Sequence, residues 1–429
     1  MYCNQCEQTV RGVACTTSGV CGKNPDVQSL QETLLYGLKG MCAYAHHARR
    51  LGQVDEEVDA FVEDALFATV TNVNFDEGAL LEMVLECGRL NLKVMQMLND
   101  GHVARFGTPE PTQVHEGTKA GPGILVTGHD LVDLENLLRQ TEGTGINVYT
   151  HGEMLPALAY PGLKKYKHLV GHYGDAWQKQ KKEFADFSGP VLATTNCILI
   201  PLDSYRDRVF TMRHVAVPGG IRIPGNDFSR LISKAKECPP LKDHHVRTTT
   251  VGFHYSVILG LADTVVAAVK SGAIKRFFVI GGCDGSEPGR NYFSTWAHKA
   301  PPDTVILTLG CGKYRIRDHD FGTIGGIPRL LDVGQCNDAI GAIQVAVGLA
   351  NAFKCGVNDL PLTLVISWFE QKAVAVLLTL LHLGVKGIRI GPNPPAFITP
   401  NVFKILQDKF DLKLTSADAE KDMAAVMGA

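Results

Sequence analysis

Apolar and polar positions along the 429-residue chain alternate in two distinct rhythms. Over residues 26–101 the rhythm is helical: Leu30, Leu34, Leu38, Met41 and Ala45 fall on one stripe, and Asp26 stands where a helix cap is wanted. Two further helices are predicted over 55–71 and 76–98, each opening on acidic residues that suit a helix N-terminus. Cys42 and Cys87 fall on the apolar faces and read as core, whereas His46 and His47, closing the first helix, are expected to be solvated or to face its dipole.

Residues 107–123 have the Gly, Pro, Thr and charged composition of a linker, and beyond them the rhythm shortens. Strands are predicted at 124–127, 146–149 and 191–195, with a helix over 130–140 completing a βαβ unit. A Pro- and Gly-rich stretch, 218–240, leads to a second such unit, with a helix over 255–271 and strands at 277–280, 304–309, 330–333, 362–367 and 388–390. Short apolar runs closed by glycine are the pattern of buried parallel strands. The expected fold class is multidomain α and β: an N-terminal Cys-rich three-helix domain (1–106), followed by two Rossmann-like α/β domains with parallel sheets (107–238 and 239–429).

Composition narrows the function. The chain is too long for one ordinary core, and 45% hydrophobic with 20% charged residues is globular usage. A net charge of -2 gives no electrostatic footprint for nucleic acid or an anionic membrane. No apolar run reaches the roughly 18 residues of a membrane span. Met1-Tyr2-Cys3-Asn4 has no basic or apolar signal region, so a cytoplasmic location is expected. In that compartment twelve cysteines are expected to be thiols or metal ligands rather than disulfides.

Cys3, Cys6, Cys15 and Cys21 form C-x2-C-x8-C-x5-C, with glycines at 12, 19 and 22 allowing tight reversals around one centre. Structural zinc and a 4Fe-4S cluster both accept four thiolates; the single C-x2-C pair, where zinc sites usually show two, favours the cluster. A second set lies at strand ends, where open α/β sheets bind ligands. His129, Glu153 and Cys197 follow strands of the first unit; Cys283, Cys311, Cys336 and Glu370 follow strands of the second, with Lys372 in the helix turn behind Glu370. Buried cysteines can be mere small hydrophobes. Four thiols with one imidazole and two carboxylates instead suit a mixed centre, sulfur ligands for thiophilic iron and harder ligands for oxygen-bridged iron. Gly219-Gly220 and Gly281-Gly282 lack the spacing of a nucleotide loop, and no nucleotide site is predicted.

With these residues in view, the chain resembles the hybrid-cluster proteins, also called prismane proteins or hydroxylamine reductases. The resemblance is carried by the N-terminal four-cysteine motif, Gly-His-Asp at 128–130, His-Gly-Glu-Met-Leu-Pro at 151–156 and Thr-Thr-Asn-Cys at 194–197. Gly-Cys-Asp-Gly at 282–285, Gly-Cys-Gly-Lys-Tyr-Arg at 310–315, Gly-Gln-Cys-Asn-Asp at 334–338 and Trp-Phe-Glu-Gln-Lys at 368–372 continue it over nearly the whole chain. The resemblance implies a 4Fe-4S cluster on Cys3, Cys6, Cys15 and Cys21. It also implies a hybrid 4Fe-2O-2S cluster on His129, Glu153, Cys197, Cys283, Cys311, Cys336 and Glu370. Cys283 would be a persulfide when oxidised, with Lys372 against the cluster and catalysis involving Glu370, Glu153, His129 and Lys372. Two departures stand out. The chain has one helical unit where many members have two, a short form that bears on dimer contacts and gas channels. Phe369 stands where many members have a tyrosine, so a phenolic proton donor is missing.

The implied activity is reduction of hydroxylamine to ammonia and water, or of nitric oxide to nitrous oxide, with electrons entering through the N-terminal cluster from a redox protein. A nitric-oxide or redox sensor acting by thiol nitrosylation is the rival of another class, separable by steady-state turnover. A carbon monoxide dehydrogenase-like nickel site is a third reading, disfavoured because one His and two Glu do not suit an all-sulfide nickel cluster. The sequence leaves the substrate, electron donor and oligomeric state open.

Overall fold

The computed structural model describes residues 1–367 and 370–428. Three helices follow the cysteine-rich N-terminus: α1 (Pro25–Arg50), α2 (Glu56–Val70) and α3 (Glu77–Phe106). Asp55 and Asp76 cap α2 and α3 through their side chains. The cap of α1 is Asn24, which accepts from the Val27 amide, with Pro25 in the first turn. Asp26, expected in that role, instead accepts hydrogen bonds from the side chains of Thr399 (2.5 Å) and Asn401 (2.9 Å), tying α1 to the far end of the chain. Cys87 is fully buried, but Cys42 is exposed: it lies at the edge of the stripe, where the helical face turns outward.

The first sheet contains β1 (Thr112–Thr118), β2 (Gly123–Thr127), β3 (Asn147–Thr150), β4 (Leu169–His172), β5 (Val191–Ala193), β6 (Val209–Thr211), β7 (Ile221–Arg222) and β8 (His244–Val251). Their order is β7-β6-β5-β2-β3-β4-β1-β8. All pair in parallel except β8, which runs antiparallel to β1 with Thr112 opposite Val251. Two expectations change here. Residues 107–123 are not wholly a linker, since β1 occupies the middle of them, and the first sheet extends past 238 to include β8. Both strands hid behind polarity. Glu116 of β1 is 3% exposed yet held by the Thr249 hydroxyl and the Arg317 guanidinium, so tertiary ion pairing replaces the apolar pattern a buried strand normally shows.

The second sheet contains β9 (Arg276–Gly282), β10 (Thr304–Thr308), β11 (Leu330–Asp332), β12 (Leu362–Ser367), β13 (Arg389–Gly391) and β14 (Lys413–Leu414), all parallel. Their order is β11-β10-β9-β12-β13-β14. Strand order reverses between β2 and β5 in the first sheet and between β9 and β12 in the second. Such switch points open a crevice beyond the strands' carboxyl ends.

The helix after β12, α4 (Gln371–His382), packs against α1 and α3 rather than lying free on the sheet. Gly88 makes this approach possible, because a Cβ there would fall 2.2 Å from the Leu378 carbonyl oxygen. The Thr379 hydroxyl donates to the Gly88 carbonyl at 2.9 Å and accepts from the Asn91 amide at 2.9 Å. One continuous core, including Leu38, Met41, Val94, Val279, Ile343 and Leu378, joins the helical unit to the second sheet. Among the described residues no helix is long and apolar enough to cross a membrane.

Candidate metal centre between the two sheets

Beyond β2 the chain turns sharply at Gly128, whose φ of +104° and contacts with Thr194 and Thr195 leave no room for a side chain. The turn sends His129 inward. Its Nδ1 lies 2.7 Å from the Thr195 hydroxyl, which fixes the ring, while its Nε2 is buried with no hydrogen-bond partner among the described residues. Beyond β3, Glu153 sits on a 3-10 turn (Gly152–Ala159). Its Oε2 accepts the Cys336 amide at 2.7 Å, and its Oε1 is buried with no hydrogen bond among the described residues. His129 Nε2 and Glu153 Oε2 are 4.0 Å apart.

The second sheet supplies the facing wall. Cys283 follows β9, and its carbonyl accepts from the Trp177 indole at 3.2 Å, anchoring it to the first α/β unit. Cys311 lies on the turn after β10 and Cys336 on the turn after β11. Glu370, three residues beyond the end of β12, accepts from Asn196 Nδ2 at 2.7 Å and from the Cys197 thiol at 3.1 Å. It therefore closes the crevice from the second sheet onto the end of β5. Lys372 is 2% exposed, with Nζ 2.9 Å from Asn337 Oδ1 and 3.9 Å from Cys336 Sγ.

The seven residues singled out at strand ends are thus brought to one crevice, with Lys372 beside them. His129, Glu153 and Cys336 present one ligand atom each, all within 4.8 Å of one another. Electrostatics sharpen the grouping. Burial, followed by the charge of Lys372, holds the His129 imidazole well below its ordinary value, so it is neutral and able to offer a lone pair. The thiols of Cys197, Cys311 and Cys336 are pushed well above theirs, first by burial; neighbouring acidic groups add to this, Glu370 at Cys197 and Glu153 at Cys311. At Cys336 the Lys372 charge opposes the burial effect. Without a cation, buried thiols and carboxylates so placed destabilise one another as anions.

The two orphaned, buried ligand atoms and the mixed sulfur, nitrogen and oxygen donors fit a centre of thiophilic and oxygen-bound iron. Sequence reasoning missed the groups that support this set. Tyr44 on α1 donates its hydroxyl to the Cys336 carbonyl at 3.0 Å, and Asn196, Asn337 and Thr195 hold Glu370, Lys372 and His129. Of the two roles expected for His47, solvation does not hold: it is 5% exposed in the last turn of α1, with Nδ1 3.3 Å from Asp130 Oδ2, beside the His129 turn. The expectation about Phe369 lies outside the described residues.

At the N-terminus, Cys3 and Cys15 face each other across an antiparallel bridge whose two amide bonds measure 3.1 and 2.8 Å. Cys6 and Cys21 are exposed, and the Lys23 backbone N–H holds the Cys21 thiol below its ordinary value. Zinc would bring four sulfurs to within about 4 Å of one another. Among the described residues no three of these cysteines bring their sulfurs within 4.8 Å of one another, and four thiolates with glycines at the reversals remain the donor set of an iron-sulfur cluster.

A cavity of about 160 Å³ leads away from the crevice between the second sheet and two helices, α4 and the helix Ala339–Phe353. Cys283, Cys336, Lys372 and Tyr44 line its inner part, and the partly exposed Val347 and Leu383 also border it. Between them the lining is aliphatic.

The model of the prismane/CO dehydrogenase family matches residues 1–84 and 76–424. A protein of Moorella thermoacetica named hydroxylamine reductase is 60% identical over 428 residues, covering 100% of both chains. One of the same name from Methanothermobacter thermautotrophicus is 50% identical over 428 residues, again covering 100% of both. A third from Geobacter metallireducens is 46% identical over 548 aligned positions and 100% of both chains, so relatives of both lengths occur. Among solved structures, carbon monoxide dehydrogenase IV from Carboxydothermus hydrogenoformans superposes with a TM-score of 0.79 at 16% identity, covering 100% of this chain and 92% of that one.

Proposed function

Because the chain belongs to the prismane/CO dehydrogenase family, we propose that it is an iron-sulfur oxidoreductase that reduces hydroxylamine at the crevice between its two sheets. The observation that carries this reading is the pair of orphaned, buried ligand atoms, His129 Nε2 and Glu153 Oε1, facing the strand-end thiols in a chain 60% identical to a hydroxylamine reductase. The reaction takes two electrons and two protons: the N–O bond breaks, nitrogen leaves as ammonia and oxygen as water.

The residues proposed to hold a hybrid iron-sulfur-oxygen cluster are His129, Glu153, Cys197, Cys283, Cys311, Cys336 and Glu370, and those for a 4Fe-4S cluster are Cys3, Cys6, Cys15 and Cys21. When bound, the hybrid cluster supplies electrons and a position for the nitrogen end of the substrate. The protein's share is to hold protons and exclude water. Lys372 Nζ is held by Asn337 beside the Cys336 thiol, and Glu370 is a hard carboxylate oriented by Asn196. Both can hold or pass a proton where the N–O bond is cleaved. The aliphatic cavity supports a second substrate, nitric oxide, whose reductive coupling to nitrous oxide takes one electron and one proton per molecule.

The proposed setting is cytoplasmic and anaerobic, with a reduced redox protein donating electrons at the N-terminal cluster and no nucleic-acid or membrane partner. Anaerobic purification followed by iron, sulfide and nickel analysis, then steady-state turnover of hydroxylamine with a chemical reductant, tests the whole reading. Iron with sulfide, no nickel and ammonia formed in proportion to reductant support it. Slow nitrosyl transfer without turnover would point to a sensor, and stoichiometric nickel would refute the proposed centre.

A further inference from the structure

Lys23 is 1% exposed, and its ammonium lies among neutral partners: Gln28 Oε1 at 2.9 Å, Gln31 Oε1 at 2.7 Å and Cys3 Sγ at 3.9 Å. Among the described residues it forms no ion pair with a carboxylate. The Glu32 carboxylate acts on it only from beyond ion-pair distance, being bonded by Gln28 rather than by the lysine, so the ammonium has no counter-charge in direct contact. Both glutamines are oriented toward it, because their amide nitrogens are engaged elsewhere. Gln28 Nε2 reaches the Tyr2 carbonyl beside Cys3 (3.5 Å), and Gln31 Nε2 reaches the Asn74 carbonyl (2.8 Å), two residues from the Asn72 side chain that contacts Cys21 Sγ at 3.9 Å. The backbone of the same lysine grips the cysteine loop: its carbonyl accepts the Gly19 amide at 2.7 Å. A side chain at Gly19 would press to 2.9 Å from Cys21 Sγ and 3.1 Å from Lys23 Cβ.

We propose that Lys23 is the counter-charge of the N-terminal cluster and a determinant of its potential. The inference rests on the reading that Cys3, Cys6, Cys15 and Cys21 hold a 4Fe-4S cluster, which fits their donor set and spacing. Four thiolates around such a cluster carry net negative charge in both redox states, and reduction adds one more. A fixed positive charge 3.9 Å from a ligand sulfur, whose direct partners are amide oxygens rather than carboxylates, stabilises the reduced form more than the oxidised form. The use of two glutamines matters, since a glutamate at either place would pair with the ammonium and cancel that effect. Lys23 is a positioning and tuning residue in this account and touches no substrate.

The test is a potentiometric titration of the holoenzyme followed by paramagnetic resonance, reading the signal that Cys3→Ser removes. Lys23→Met should leave at least tenfold less reduced N-terminal cluster at a fixed ambient potential, a shift of about 59 mV to lower potential for one electron. Lys23→Arg should restore most of the shift, and the crevice signal should not move. Gln28→Glu, which keeps the lysine but neutralises it, should shift the potential in the same direction and serves if Lys23→Met fails to assemble. An unmoved potential in both Lys23→Met and Gln28→Glu would overturn the role of Lys23. A wild-type protein with no signal dependent on Cys3 would overturn the cluster assignment beneath it.

Discussion

Replacing Glu370 separates a metal ligand from a helix cap. Glu370 occupies the N-cap position of α4, yet its side chain makes no hydrogen bond to the first turn, so the ~1 kcal/mol that loss of a side-chain cap typically costs is not at stake. Its carboxylate instead reaches across the crevice to Asn196 at 2.7 Å and the Cys197 thiol at 3.1 Å. Hydrogen bonds to a charged group contribute about 1.5–3 kcal/mol, so Glu370→Ala should lower the stability of the metal-free protein by roughly that amount. Glu370→Gln keeps an oxygen for Asn196 and should cost about 1 kcal/mol or less. Gln is therefore the informative substitution, as it preserves the fold and removes the anionic ligand. Replacing even an outer-shell partner of a metal ligand typically costs 10–100-fold, so hydroxylamine turnover should fall by at least about that factor. Anaerobic kinetics, paramagnetic resonance of both clusters and thermal denaturation would be read on the same preparations. A Glu370→Gln enzyme with unchanged turnover and an unchanged crevice signal refutes the ligand role.

Two further outcomes are expected. Cys3→Ser should remove the N-terminal cluster and leave the crevice cluster, with rates from a protein donor falling more than rates from a small diffusible reductant; loss of all iron, or equal losses of rate, would contradict separate centres and an entry role. His102 is 3% exposed and pushed down to about 3 by burial. Its unfolded counterpart takes up a proton below about pH 6.5 while the folded imidazole stays neutral, so acid favours unfolding; this group should cost about 1.4 kcal/mol of stability by pH 5.5. Denaturant titrations at pH 7.5 and 5.5 should show that increment missing in His102→Gln; an identical pH dependence in the variant would show that His102 is not neutral in the fold.

The crevice was legible because a buried parallel strand is an apolar run that must stop, and Cys283, Cys311 and Cys336 each stand just past such a stop. What escaped were features whose cause lies far away in the chain. β1 reads as a linker until Glu116 meets Arg317, and β8 reads as polar until it pairs with β1. His47 resembles any surface histidine at a helix end, and Asp130, which buries it, belongs to another domain. Cys42 shows the converse limit: the helical period places it on the apolar side, but only the packing of neighbours decides how wide the covered face is. Tyr44 gave no signal at all, because its hydrogen bond is to the backbone of Cys336 and imposes no pattern on the residues around it.

The walls of the crevice also impose a chronology. His129 and Glu153 are wholly enclosed, and the segment bearing Glu370 and Lys372 is synthesised long after them, arriving with a helix that locks onto α1 and α3 through Gly88. A chain that closed before iron was in place would seal unpaired ligand atoms inside, with no hydrogen-bond partner among the described residues. With the proposed ligand set, loading would therefore be part of folding rather than an event that follows it, since metal that binds only the assembled set contributes its binding energy to closure.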